Sequence, residues 1–335
     1  MTTVPMRIAS ICATLDRDDK GWCKRRRLWS TADYEATRTL GKGAFGAVVE
    51  ARHIATGQPV AVKELCSATG GAEEAVQEAE FLADCRGHPS LVDLHALAMN
   101  PCTGEVALVM ECVGPNLHDV LNSGRHRGGR PLPEADVRRV MRQLLDGARH
   151  MHARKIMHRD IKPGNILVRC EHPISVKICD LGLAASIRAA PPYDRAGTRR
   201  YTAPEMLLGK PDYDAMVDMW SLGCVMAELL TGKPLFDADA DSDVLLRIFS
   251  VLGVPGQRTW PAFKSLPLAG TVAVPPIRHR SRLRQMFPEE RLSADGYDVL
   301  KRLLSCNADK RPSATAALRS PWFTKDTDYS SKIVQ

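Results

Sequence analysis

Two short stretches concentrate the residue types able to do chemistry. "MHRDIKPGNILV" (Met157 to Val168) holds Asp160, then Lys162 and Asn165, and "KICDLGLA" brings Asp180 directly before Leu181 and Gly182. Acids, an ammonium and an amide so closely spaced can move protons and hold charged ligands, although each acid alone could equally cap a turn or helix. Upstream, "GKGAFGAV" (Gly41 to Val48) matches G-x-G-x-x-G-x-V, whose glycines let the backbone approach phosphates. A dinucleotide site would need a helix after the third glycine, but Val48, Val49 and the alternation beyond them predict the second arm of a hairpin. In "VAVKEL", period-two alternation puts Lys63 on one strand face with Ala61 and Leu65. An ammonium among apolar neighbours needs an anionic partner; a lysine snorkelling to the surface is the alternative.

These residues need a scaffold. The chain has 335 residues, 44% hydrophobic and 25% charged, a globular composition with length for one large bilobal unit or roughly two domains. From Tyr34 the pattern turns to short β-type runs, "YEATRTL", "GAVVEARH" and "PVAVKEL", with a turn at Thr56-Gly57, which predicts a small antiparallel sheet. A helix is expected over Ala72 to Cys85 and a strand over Val106 to Val113. Beyond Gly114-Pro115 the pattern is mostly helical. Pro133, in a first-turn position, opens an amphipathic helix that spaces Val137, Val140, Met141, Leu144 and Leu145 along one face. Further helices are expected over Val217 to Leu230, Ser242 to Leu252, Ser293 to Leu304 and Ala314 to Arg319, with an irregular stretch from Gly253 to about Pro288. Residues 1–33 lack sustained periodicity and contain "KRRR" (Lys24 to Arg27), which predicts a flexible basic extension, a solvated tail or a nuclear-import tract.

The formal charge of +7 is spread along the chain; it favours anionic partners without specifying nucleic acid. The ten cysteines form no C-x-x-C pair and predict separate reduced thiols in an intracellular protein, in nucleus or cytoplasm. No apolar run reaches the roughly 18 residues of a bilayer span, so no membrane association is expected. The first twenty residues have a short apolar patch but no small-residue cleavage site, so a secretory leader is not expected; a transit peptide stays open.

Taken in order, the glycine loop, Val-Ala-Val-Lys, His-Arg-Asp, Asp-Leu-Gly and Ala-Pro-Glu (Ala203 to Glu205) resemble the eukaryotic protein kinases over nearly all of Tyr34 to Phe323. The resemblance implies an α+β bilobal fold: a kinase domain over 34–323, with a mostly β N-lobe (34–113) and an α-helical C-lobe (114–323), followed by a tail (324–335). It implies ATP and Mg²⁺ as cofactors and phosphoryl transfer to proteins. Lys63 would then hold the α and β phosphates, oriented by Glu78, with Glu74 as the alternative. Asp160 would orient the substrate hydroxyl and accept its proton, Lys162 would lie near the γ-phosphate, and Asn165 and Asp180 would bind Mg²⁺. The phosphate flap would run from Leu40 and Gly41 through Lys42, Gly43, Ala44 and Phe45 to Gly46, Ala47 and Val48. Met110 would stand behind adenine, the backbone of Glu111 and Val113 would bond its edge, and Val48, Ala61 and Leu167 would sandwich the ring. Lys162 two residues after the catalytic Asp resembles Ser/Thr kinases, which implies substrates with Ser or Thr. A pseudokinase acting as a binding or scaffold module is the alternative.

The segment from Met216 to "TWP" resembles the cyclin-dependent kinases and their relatives, plant F-type members among them. Asp218 would then brace the catalytic loop and Glu205 would pair with Arg311. Several departures from that pattern matter. "GGAEEAVQEAE" replaces the sequence that cyclins grip, which argues against a cyclin partner. Ala44 and Phe45 stand where relatives often carry Thr and Tyr, so inhibitory phosphorylation there is chemically impossible. Leu181 replaces the Phe of Asp-Phe-Gly. Thr202 stands where an Arg shapes preference for a following Pro, leaving proline-directed specificity open. Between Ser186 and Thr198 there is no Ser or Thr, so the usual activating phosphothreonine is absent. Arg159, its usual receiver, is present, which implies another anion: the Asp194 carboxylate or a phosphorylated Tyr193. Thr198 is instead expected to contact Asp160 and Lys162.

Overall fold

The computed structural model describes residues 3–15, 28–43, 46–65, 71–123, 130–169, 173–272 and 280–325. It has the two lobes expected. The N-terminal lobe holds α1 (Val4–Leu15), β1 (Trp29–Ser30), β2 (Tyr34–Gly43), β3 (Gly46–His53), β4 (Pro59–Leu65), α2 (Gly71–Asp84), β5 (Leu94–Met99) and β6 (Val106–Glu111). Its sheet runs β1-β5-β6-β4-β3-β2, antiparallel except for the parallel pair β1/β5. Alternation along β4 sends Val60 and Val62 into a small cluster with Ala51, Ala98 and Val109, and Ala61 into the main core. Gly57, at φ 70°, closes the expected β3–β4 turn in a conformation glycine adopts without steric cost.

The C-terminal lobe holds α3 (Leu117–Asn122), α4 (Glu134–Ala153), β7 (Ile156–Met157), β8 (Ile166–Arg169), β9 (Ser175–Ile178), β10 (Ala185–Ser186), α5 (Pro204–Leu207), α6 (Met216–Thr231), α7 (Asp241–Leu252), α8 (Leu283–Met286), α9 (Ala294–Leu303), α10 (Ala314–Leu318) and α11 (Pro321–Thr324). The five apolar positions expected on one face of α4 are all fully buried. Pro133 is the N-cap of α4 rather than its first helical residue. Every residue of α6 from Val217 to Leu230 is buried, so its long apolar run reflects a central helix packed on all sides. Among the described residues no helix is long and apolar enough to cross a membrane.

In the described part of residues 1–33 the structure differs from the flexible extension expected. Residues 4–15 form α1, with Ile11 and Leu15 buried against the N-lobe, and Trp29–Ser30 adds β1 to the sheet. Val4, Ile8, Ile11 and Leu15 recur at helical spacing, but one short stripe is a weak signal until the surface that covers it exists. "KRRR" and most of the C-terminal tail lie outside the described residues.

On α4, the His150 ring lies 4.4 Å from that of His88, and its buried Nε2 has no hydrogen-bond partner among the described residues. Burial, with help from Arg154 and His88, lowers its pKa from the ordinary 6.5 to about 4. A base depressed by folding contributes stability that is complete above the unfolded value and lost as pH falls from 6.5 toward 4. His150→Gln is therefore expected to flatten the fall in urea midpoint across that window.

Candidate active site

β4 delivers Lys63 to the inner face of the sheet and α2 delivers Glu78 opposite it. The Lys63 ammonium, only 6% exposed, donates to both Glu78 carboxylate oxygens at 2.9 and 2.8 Å and to Asp180 Oδ1 at 2.6 Å. Burial works against the ammonium, but the charges of Glu78 and Asp180 outweigh it and hold its pKa above the ordinary value. Burial likewise opposes the Asp180 carboxylate, and Lys63 outweighs it, lowering that pKa. Of the two glutamates considered, Glu78 is the buried one and Glu74 is exposed. Gly182 closes over this group: a Cβ there would stand 3.3–3.4 Å from Glu78 Oε2, Asp180 Oδ1 and Lys63 Nζ.

The loop between β7 and β8 presents the second group. Asp160 Oδ1 accepts from the Thr198 amide at 2.8 Å and hydroxyl at 2.7 Å; Asp160 Oδ2 pairs with Lys162 at 2.7 Å and accepts from Asn165 Nδ2 at 3.0 Å. Lys162 also donates to Thr198 Oγ1 at 2.7 Å. The loop is held from beneath by Asp218 on α6, whose oxygens accept the amides of His158 and Arg159 at 2.9 Å each and meet His152 Nε2 at 2.8 Å. Burial raises the energy of that carboxylate, but the bond and charge of His152, joined by His158, outweigh it and lower its pKa. Where the segment carrying Thr198 crosses this loop, Gly197 sits at φ +96° and any Cβ would overlap the Arg159 carbonyl, so only glycine fits.

Apolar residues of both lobes meet in one core. Ala61 and Met110, opposite each other in the β4/β6 register, are buried in the main core, and Leu40, Val48, Val113 and Leu167 pack against it. Gly41 and Lys42 on β2 face Val48 and Ala47 on β3, and Gly43 faces Gly46; Ala44 and Phe45 lie outside the described residues. Glu111 closes the hinge with its carboxylate on Lys177 at 2.7 Å and on Arg169. Beside Lys162 and Thr198 opens a groove of about 830 Å³, lined also by Gly164, Arg195, Gly197 and Arg200 among others.

The glycine-bearing β2/β3 hairpin, the Lys63–Glu78 pair, the Asp160 loop and Asp180 follow the order of a known domain. The protein kinase domain model matches residues 34–323. The chain belongs to the protein kinase family. It is 47% identical over 300 residues to a putative cyclin-dependent kinase F-2 of Oryza sativa subsp. japonica, covering 87% of this chain and 90% of that one. It is 35% identical over 311 residues to cyclin-dependent kinase G1 of Arabidopsis thaliana, spanning 88% of this chain and 49% of that longer protein. It is 36% identical over 305 residues to extracellular signal-regulated kinase 2 of Dictyostelium discoideum, spanning 87% and 79%.

In this kinase Leu181 is buried at 3% exposure, so the smaller apolar side chain keeps the inward position. Glu205 and Arg311 pair as expected, in a bidentate bridge at 2.6 Å. Thr202 is buried, and its hydroxyl has no hydrogen-bond partner among the described residues. Arg159 meets neutral partners here, and the Asp194 carboxylate is not one of them. The Arg159 guanidinium donates to the Leu183 carbonyl at 2.6 Å and to the Tyr213 hydroxyl at 3.1 Å, and Tyr213 donates to the backbone carbonyl of Asp194 at 2.6 Å. Asp194 thus takes part through its carbonyl and not its exposed carboxylate. Tyr193 turns inward, its hydroxyl bonding the Ala189 carbonyl at 2.8 Å and its ring 5.3 Å from Tyr213. Tyr213, Lys177 and Arg169 were not legible as site residues, because nothing local marks a tyrosine or a cation that acts across a distance in sequence.

Proposed function

We propose that this kinase is an ATP- and Mg²⁺-dependent Ser/Thr protein kinase of the cyclin-dependent kinase-like group. The single observation that carries the reading is the joint assembly of Lys63, Glu78 and Asp180 beside Asp160, Lys162, Asn165 and Thr198, with an open groove at Lys162 and Thr198. The apolar residues Leu40, Val48, Ala61, Met110 and Leu167 suit a flat aromatic base, with the Glu111 and Val113 backbone at its edge, and the glycines of Gly41 to Gly46 suit phosphates. Lys63 holds the α and β phosphates and Glu78 orients it. Asp160 orients the substrate hydroxyl and accepts its proton, with Lys162 supplying positive charge alongside.

The residues fit a divalent cation. Three carboxylates, Glu78, Asp160 and Asp180, against two ammoniums, Lys63 and Lys162, leave one negative charge uncompensated, and the Asn165 amide oxygen and the second Asp180 oxygen remain as acceptors. Bound Mg²⁺ would neutralise charge on the phosphates. Its protein ligands would be Asn165 and Asp180, with the phosphates and water completing the shell. Lys162, two residues after Asp160, favours Ser and Thr acceptors.

The purified chain, with no cyclin added, is expected to transfer phosphate from ATP to a generic Ser/Thr peptide only when Mg²⁺ is present. Nucleotide binding with no transfer would sink the reading and leave a binding scaffold.

Arg159 held by Tyr213 supports a segment that needs no phosphate on Tyr193. Burial raises the Tyr213 pKa, so its hydroxyl stays protonated and donates to Asp194 while accepting from Arg159. Tyr213→Phe removes both bonds, each involving a buried or charged group, and is expected to lower kcat by about tenfold. Tyr193→Phe is expected to leave kcat within about twofold, the size of one exposed neutral contact. A large loss with Tyr193→Phe and none with Tyr213→Phe would return the switch to a phosphotyrosine.

A further inference from the structure

The helix α1 lies on the face of α2 that points away from the active site. Val4, Ile8, Ile11 and Leu15 form its apolar stripe; Ile11 is 3% and Leu15 6% exposed, while Met6 on the opposite side is 61% exposed. On α2, Ala75, Ala79 and Ala83 are buried in the same core as this stripe, small side chains that let another element approach the helix closely.

Both ends of α1 are tied to α2. Near its start, Arg7 spans two turns of α2: Nε and Nη2 donate to the two Glu80 oxygens at 2.8 Å each, and Nη1 donates to Glu73 at 2.9 Å. At its end, the Leu15 carbonyl, one of the unpaired acceptors of a helix C-terminus, takes a bond from Arg86 at 2.8 Å, just past α2. Glu78 lies on α2 between Glu73 and Glu80 and projects the other way, onto Lys63. Any roll or outward shift of α2 would separate that pair.

We propose that α1 is a built-in brace that holds α2 in the position where Glu78 engages Lys63, with Arg7 as the positioning residue. The inference rests on the reading of Lys63 and Glu78 as the nucleotide-positioning pair. Its consequence is that the outer face of α2 is covered by the chain itself, so orientation of Glu78 requires no separate protein there. A forked guanidinium matched to two carboxylates defines a helix orientation in a way a point charge does not.

The test compares the full chain with Arg7→Glu, Arg7→Gln and the exchanged pair Arg7→Glu/Glu80→Arg. Amide hydrogen exchange of α2 reports its opening, and kcat with the KM for ATP reports the position of Glu78. Arg7→Glu is expected to speed α2 exchange and lower kcat by about tenfold each, the size of lost charged hydrogen bonds. Arg7→Gln should fall between, and the exchanged pair should recover most of both losses, since one acid again meets one arginine. Unchanged α2 exchange in both single variants would overturn the brace, as would faster exchange with kcat and KM unaltered. Should the unaltered chain bind nucleotide without transferring phosphate, the reading of the site fails; the α2 exchange and the affinity for ATP in the same variants then decide the brace by themselves.

Discussion

Asp160→Asn is expected to lower kcat by about 10²–10⁴-fold, the contribution of a positioned general base. The change is nearly isosteric. One side-chain oxygen remains to accept from Thr198 or Asn165, so the loop stays tethered through Asp218, His158 and the Asp160 carbonyl, which itself accepts from Asn165 at 3.0 Å. What disappears is the carboxylate that pairs with Lys162 and can take a proton. Lys63, Glu78 and Asp180 make no hydrogen bond to Asp160, so affinity for Mg²⁺-nucleotide is expected to stay within about threefold, less than a single charged hydrogen bond is worth. Steady-state kinetics at saturating ATP, beside a nucleotide titration, separates the two quantities. Loss of affinity matching the loss of rate would mean that Asp160 holds the nucleotide and does not serve the hydroxyl.

Arg311→Met is expected to destabilise the C-terminal lobe by about 3–5 kcal/mol, the cost of leaving a buried charge without its partner. Glu205 is 1% exposed, and both its oxygens accept from Arg311. The same guanidinium donates to the carbonyls of Ser305, Met216 and Cys306, at 2.7, 2.9 and 3.2 Å, and lies 5.2 Å over the Trp220 ring. One side chain therefore ties α5, α6 and the loop after α9 together. Its loss should appear as a lower urea midpoint. Adding Glu205→Leu should recover part of the loss, because the stranded carboxylate goes with it, while the three carbonyls stay unsatisfied. A double variant no better than Arg311→Met alone would place the energy in the carbonyl contacts and not in the ion pair.

Much of the fold was legible because it rests on local periodicity. Strands β2, β3 and β4, helix α2 and helices α4, α6, α7, α9 and α10 fall within a few residues of where the apolar pattern, the Thr56-Gly57 turn and the proline breaks put them. Helix α1 was missed for the opposite reason. Its stripe spans only about three turns, and the partners that hold it, Glu73, Glu80 and Arg86, lie more than sixty residues away.

The same division runs through the site. Sequence alone determined which groups are available: Asp160, Lys162 and Asn165 share one short loop, so their proximity is enforced by the chain, whereas Lys63 could have met an anion or snorkelled to the surface until the fold paired it with Glu78 and Asp180. Choosing Glu78 over Glu74 required the rotation of α2 about its axis, which only packing against the sheet and α1 fixes. Placing Thr198 on Asp160 required the segment after Asp180 to fold back across the loop, with Gly197 making room. Likewise, the sequence displayed a missing phosphothreonine and an arginine without its usual partner, and pointed to the nearest candidates, Tyr193 and Asp194. Tertiary structure added Tyr213 as the partner Arg159 meets in this fold, since hydrogen bonds are satisfied by whatever donor or acceptor the fold brings within reach, irrespective of distance along the chain.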